Sequence, residues 1–389
     1  MTRSTNSLRS IAPLLVLLTA LAGCAQEQPE SGAFVVRLGT DTVGVERYTR
    51  TAERMEATAV TRSPAARIRQ SVITFGPDGS VERYESQVRD AATPADAPYL
   101  QRTLAVYSPD SAVVETTEDG ETRRQVMAAR PRMIPSSIDH FSFEELVIRS
   151  APGTASDTVY RPGDPPSAVV VQRIGADSVA LQTESLGVWR ARVDSADRIL
   201  AMHAGALGRT VQRVTDLDVE AIARRWADED ARGAGMGPLS PRDTLVATVG
   251  DAQITVDYSR PAKRGRPVFG GLVPLNEVWR TGANAATQLT TDRALAFGAT
   301  RVPAGTYTLF TIPRRDGWTL IVNRETGQAG TDYDSAQDLA RLTMQVDTLA
   351  SPVERFTISV EETEGGGALA LSWDQTRAWI PLSVVRSSR

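Results

Sequence analysis

The chain holds one cysteine, two histidines and a single lysine, Lys263, in 389 residues. The lone cysteine, Cys24, has no partner for an internal disulfide, so any fold must be held by its core. His140 and His203 lie far apart in the sequence without ligand-spaced partners, which leaves no zinc pattern. A Gly-x-Ser-x-Gly elbow, a phosphate-binding Walker loop and a dinucleotide fingerprint are all missing. Those absences remove the commonest hydrolase, nucleotidase and dehydrogenase readings. The formal net charge is -4, so no basic footprint suggests nucleic acid. Positive charge is almost wholly arginine, as GC-rich coding would produce. Only one long apolar run exists, and it is too short for a stable membrane-spanning helix.

That run is the start of the chain. Arg3 and Arg9 precede an apolar segment from Ile11 to Leu21, the layout of an export signal. The four residues Leu21-Ala22-Gly23-Cys24 close it and resemble a bacterial lipobox. The resemblance implies cleavage before Cys24, a diacylglycerol on its thiol and an acylated amine, commonly palmitate. An ordinary signal peptide with a chance cysteine is the alternative. Ala25 rather than Asp follows the cysteine, which by analogy with lipoprotein sorting favours the periplasmic face of the outer membrane. The expected partner is therefore a membrane, held through lipid on Cys24. No cofactor is expected.

The expected organisation is a signal over 1–23, a polar tether over 24–32, an antiparallel β-domain over 33–232 and a second β-domain over 238–389. Period-two patterning begins at Ala33, with turn signals between short runs. Gly76-Pro77-Asp78-Gly79 marks a hairpin, and Glu118-Asp119-Gly120 and Asp194-Ser195-Ala196-Asp197 mark further turns. A long meander of this kind predicts a strongly curved sheet or half-barrel, similar at a coarse level to lipid-carrying half-barrels of the envelope. Leu217 to Ala231 reads as a helix capped by Thr215 or Asp216. Gly233, Gly235, Gly237 and Pro238 follow it, placing the domain boundary near 232–240. The fold class expected is mainly β, with a short helix between a curved sheet and a β-sandwich.

The second half carries ordered motifs. They are Tyr258-Ser259-Arg260-Pro261, Phe269-Gly270-Gly271-Leu272-Val273-Pro274 and Val278-Trp279-Arg280-Thr281-Gly282-Ala283-Asn284. Pro303-Ala304-Gly305-Thr306-Tyr307, Phe310-Thr311-Ile312-Pro313 and Trp318-Thr319-Leu320-Ile321-Val322-Asn323 come later. Together they resemble the DUF2911 family of bacterial exported proteins over roughly residues 238 to 385. The resemblance implies a β-rich domain and supplies no catalytic residue.

Arg260, Lys263, Arg264, Arg266 and Arg280 concentrate cations in one glycine-rich segment. Arginine forks suit carboxylate or phosphate, so Arg260, Arg264, Arg266 and Arg280 are candidate ligand residues. Trp279 would wall such a pocket and Asn284 would orient the ligand. Alternatively, the arginines pin a long loop and Trp279 plugs the core. Trp318, Trp373 and Trp379 are read as core residues in preference to a glycan platform. Asp139-His140 with Glu144 and Glu145 is the nearest approach to a metal or acid–base cluster, and an exposed polar loop is the expected reading. The leading functional expectation is a non-enzymatic envelope module binding a polar or anionic ligand, a glycan or an envelope protein. Carriage of a lipid by the first domain is an alternative, as is a cell-wall hydrolase using carboxylates such as Glu361-Glu362 or Asp228 with Asp230.

Overall fold

In the computed structural model, the described residues are 28–385 apart from 131, 136, 138, 152–155, 163–165, 184–186 and 205–207. Cys24 and the whole expected signal lie outside them. Strand dominates, in two antiparallel sheets, and neither closes into a barrel.

The N-terminal sheet has 14 strands. In chain order they begin with β1 (Glu30–Leu38), β2 (Asp41–Arg50), β3 (Arg54–Thr61), β4 (Arg67–Phe75) and β5 (Val81–Asp90). Next are β6 (Gln101–Tyr107), β7 (Ser111–Glu118), β8 (Glu121–Ala128), β9 (Ser156–Arg161) and β10 (Ser167–Arg173). The last are β11 (Ser178–Thr183), β12 (Gly187–Val193), β13 (Ile199–Ala204) and β14 (Arg209–Val214). The spatial order is β8-β7-β6-β5-β4-β3-β2-β1-β14-β13-β12-β11-β10-β9. Two meanders therefore run outward from a central β1–β14 pair, registered with Ala33 opposite Val214 and Leu38 opposite Arg209. The curl brings the two outer ends together. The segment after β8 reaches β9, where Ile134 N–H donates to the Tyr160 carbonyl and Tyr160 N–H to that of Arg132.

A sheet curved this strongly has a concave face to fill. Helix α1 (Ser142–Arg149) fills it. Phe143, Leu146, Val147 and Ile148 of the helix join Phe34, Tyr48, Ile73, Val159, Trp189 and Met202 of the sheet in one core. This overturns the expected exposed loop. His140 and Glu145 are 1% and 2% exposed, because their neighbours in sequence are apolar and carry them inward. Their polar atoms are met by the sheet. Glu46 of β2 accepts from the Phe141 and Ser142 amides and caps α1 from outside its own sequence. Its carboxylate also accepts from the Ser142 hydroxyl. Glu145 accepts from the Tyr48 hydroxyl at 2.6 Å and the Ile199 amide at 2.6 Å, and pairs with Arg213. At the far end Arg149 makes a two-pronged pair with Glu30, at 2.7 and 2.8 Å.

The expected second helix is present as α2 (Val219–Ala231), but Asp218 caps it, accepting from the Ala221 amide. Asp218 lies two to three residues closer to the first buried residues than the predicted caps. Val219, Ala223, Trp226 and Ala227 pack on the convex face against Val45, Val60, Ala66 and Ile68.

The second sheet has 9 strands. They are β15 (Arg242–Val249), β16 (Ala252–Ser259), β17 (Thr287–Thr291), β18 (Leu295–Phe297), β19 (Thr300–Val302), β20 (Gly305–Ile312), β21 (Trp318–Asn323), β22 (Asp338–Thr363) and β23 (Gly366–Val384). The spatial order is β15-β16-β17-β20-β21-β22-β23-β18-β19. Period-two runs at Leu342 to Val346, Val353 to Val360, Ala368 to Trp373 and Ala378 to Leu382 read as four short strands, and in the structure they merge into the two long strands β22 and β23. Register shifts between Thr348 and Val353 and between Val353 and Thr357 bend the pair, so it serves both layers of a sandwich.

Replacing Glu46 by Ala leaves the Phe141 and Ser142 amides buried without an acceptor. Each unmet donor costs about 1–3 kcal/mol. Urea unfolding should register that loss for Glu46→Ala and a smaller one for Glu46→Gln, which keeps an acceptor oxygen.

Candidate functional site

The predicted cations of the second domain have different fates. Arg260 donates to Asp243 at 2.9 Å, to the Thr357 hydroxyl at 2.9 Å and to the Phe356 carbonyl at 3.2 Å. Lys263 pairs with Asp374 at 2.5 Å. Arg264 pairs with Asp41 of the first domain. Arg266 donates to the carbonyls of Ala262 and Lys263. Arg280 is half-buried against Gly330, and burial pushes its pKa down. Asn284 has φ of 59°, a left-handed turn position, and its carbonyl accepts from Gly330. Trp279 sits in the core, stacked on Trp373 at 6.1 Å and edge-on to Phe356 at 5.0 Å. Trp318 and Trp373 are buried with it, while Trp379 is half-buried beneath Arg377. The structure does not gather the six predicted residues into one pocket; Arg264 and Arg266 instead help to join the domains.

That joint is close. The Thr40 amide donates to the Arg264 carbonyl at 3.1 Å. Gly39 has φ of +62°, and a Cβ there would lie 1.8 Å from the same carbonyl oxygen. Only glycine fits.

In the first domain, Ser71, His140 and Glu46 stand in the order of a hydrolase triad. His140 Nε2 lies 2.9 Å from the Ser71 hydroxyl and Nδ1 lies 3.3 Å from the Glu46 carboxylate. The cluster is sealed, with Ser71 at 2% exposure and Glu46 at 0%, and the carboxylate is committed to the start of α1. Its geometry is that of a packed polar core. Among the described residues no group of His, Cys, Asp and Glu could hold a metal. Of the carboxylates considered for hydrolysis, Glu361 is taken by Arg377 and Asp230 by the Ala66 amide.

The open feature lies at one rim of the curved sheet, beside the C-terminal end of α1. A cleft of about 1060 Å³ opens there. Phe75, Val81, Tyr107, Met133, Ile134 and Leu146 supply its apolar surface. Arg50, Arg130, Arg132 and Arg149 supply cations, against Asp78 and Glu82. A second cleft of about 430 Å³ adjoins it, lined in part by Glu30, Arg50, Arg149 and Arg198. Arg50 and Arg149 therefore face both. Burial lowers the pKa of Arg50, and the neighbouring Arg149 lowers it further. The hydrogen bond from Arg149 holds the Glu30 carboxyl below its ordinary range. Burial raises the Tyr107 phenol, whose hydroxyl is buried without a hydrogen-bond partner. No sequence pattern marked this set. Arg50, Phe75 and Tyr107 each end a strand, and only the Gly76–Gly79 turn signal lay beside the rim.

Comparison with known families now has a fold to attach to. Residues 240–382, the second domain, match the family DUF2911, described as a protein of unknown function. The DUF2911 match covers most of the second sheet and stops short of the curved domain. Neither the curated proteins nor the solved structures include a match. No helix among the described residues is long and apolar enough to cross a membrane.

Two outcomes follow from this geometry. The Glu30 pKa is depressed on folding, so the stability it contributes is complete above the ordinary carboxylate range and lost as pH falls through the folded value. Thermal melts between about pH 2 and pH 6 should lose part of that slope in Glu30→Gln. At the joint, Gly39→Val should undock the domains while each sheet persists. Proteolysis near residues 232–240 should quicken with far-ultraviolet circular dichroism unchanged.

Proposed function

We propose that this chain is a lipid-anchored binding protein of the cell envelope, and that its curved N-terminal domain holds a ligand with an apolar tail. The observation that carries the reading is the cleft of about 1060 Å³, whose lining mixes apolar side chains with an arginine rim. Concave sites of about this size that combine apolar side chains with convergent polar groups are where small ligands are held. Each methylene transferred from water onto such a surface contributes about 0.8 kcal/mol. The lipobox-like Leu21-Ala22-Gly23-Cys24 supports the anchor. In this reading the DUF2911 domain is a buttress, gripping the β1–β2 turn through Arg264.

A second reading keeps a polar or anionic ligand on the second domain. It is favoured by Arg280, which is half-buried with only burial acting on its charge.

The neutral dye 1-N-phenylnaphthylamine tests the first reading. Its fluorescence should rise on mixing with the full chain. Val81→Trp, which fills the cleft from a half-buried position, should weaken binding at least tenfold with the melting temperature preserved. No rise, together with no amphiphile in an organic extract of the purified protein, would sink the proposal. Separately, Cys24→Ala should move the protein out of the membrane fraction and stop incorporation of labelled palmitate.

A further inference from the structure

We infer that the cleft selects a single-chain amphiphile with an oxyanion head, a carboxylate or a phosphate, and that Arg50 is the residue that reads the head. This deepens the proposed function and rests on it.

Three donors at this rim lack acceptors. The first is the guanidinium of Arg50. Its centre lies 5.4 Å from the centroid of the Phe75 ring, at the boundary between cation and apolar floor. Among the described residues it holds no salt bridge; Arg149 beside it is a second cation, while the Glu30 and Glu145 carboxylates act on its charge in the opposite sense. The second is Nε of Arg149, buried and unpartnered although the two terminal nitrogens hold Glu30. The third is the Tyr107 hydroxyl, buried and unpartnered on the wall of the same cleft. Buried donors are normally met, and a cation half out of water beside another cation is costly. One anion with several acceptor oxygens would answer the two neighbouring arginines, Arg50 and Arg149.

The other charges at the rim do not fill this role. Asp78 accepts from the amide and hydroxyl of Ser80. Arg132 is taken by Asp157, and Arg130 lies over Tyr160 at 5.8 Å. Arg198 is taken by Asp194. Glu82 is exposed at the rim and Glu30 belongs to Arg149. Cationic heads would meet a surplus of arginine. A neutral head would leave the Arg50 guanidinium without an ion-pair partner. The tail would lie along the half-buried Val81 and Tyr107, over the edges of Phe75, Met133, Ile134 and Leu146.

Isothermal titration of the full chain with decanoate, decyl phosphate, decanol and inorganic phosphate tests this. Decanoate or decyl phosphate should bind at least tenfold more tightly than decanol, and inorganic phosphate alone should bind more weakly than either. The ratio of the two anions tells a fatty-acid head from a phosphate head. Arg50→Gln should cost the anions about tenfold or more and leave decanol unchanged. Arg50→Lys should recover part of the loss. Equal binding of decanol and the anions, or anion binding indifferent to Arg50→Gln and Arg50→Lys in folded protein, would overturn head-group selection and leave the apolar cleft standing. Failure of every ligand including decanol would overturn both.

Discussion

The first domain depends on one constraint: a sheet that curls this far must fill its concave face, and it does so with a short helix whose ends and polar side chains the sheet itself satisfies. α1 has only 8 residues, too few to persist alone. Its first amides are capped by Glu46, its middle by Tyr48 and Arg213 acting on Glu145, and its last turn by Glu30 acting on Arg149. These contacts come from β1, β2 and β14, the centre of the sheet. Curvature, helix and central strands are thus one cooperative unit. The cleft exists because α1 is short. It covers part of the concavity and leaves the rim beyond Arg149 open.

Charge is used differently in the two domains. In the second, Arg260, Lys263, Arg264 and Arg266 are absorbed by carboxylates and carbonyls, and they fasten the loop that joins the sandwich to the curved sheet. Four cations within a few residues read as a ligand site in sequence, yet nearby Asp243, Asp374 and Asp41 claim three of them. At the cleft the balance runs the other way, with arginines outnumbering the acids that face them. Clustering in sequence and surplus in space are separate properties, and only the second leaves a cation available.

The features written in local chemistry were legible. Gly76-Pro77-Asp78-Gly79 did make a turn, the periodic run ending at Ala231 did make a helix, and the curved sheet and sandwich followed from strand spacing and from the DUF2911 motifs. What escaped depended on distant partners. β14 carries Arg209 and Arg213 and one fully buried residue, Val211, so its pattern is too weak to read without β1 beside it. α1 escaped because Glu144, Glu145 and His140 made its surroundings look solvated, when Arg161, Arg213 and Glu46 wait for them across the core. The cleft residues escaped because they converge only when the strand ends share a rim.

The pairing of the first strand with the last has a consequence in time. β1 is made first and gains one neighbour, β2, almost at once. Its other neighbour, β14, arrives only after the rest of the domain has been synthesised. Until then the strand that will become the middle of the sheet is an exposed edge, the state most prone to pairing with the wrong chain. Among the strand pairings of the described sheet, β1–β14 is the one of long sequence separation, and it can form only once β14 has been made.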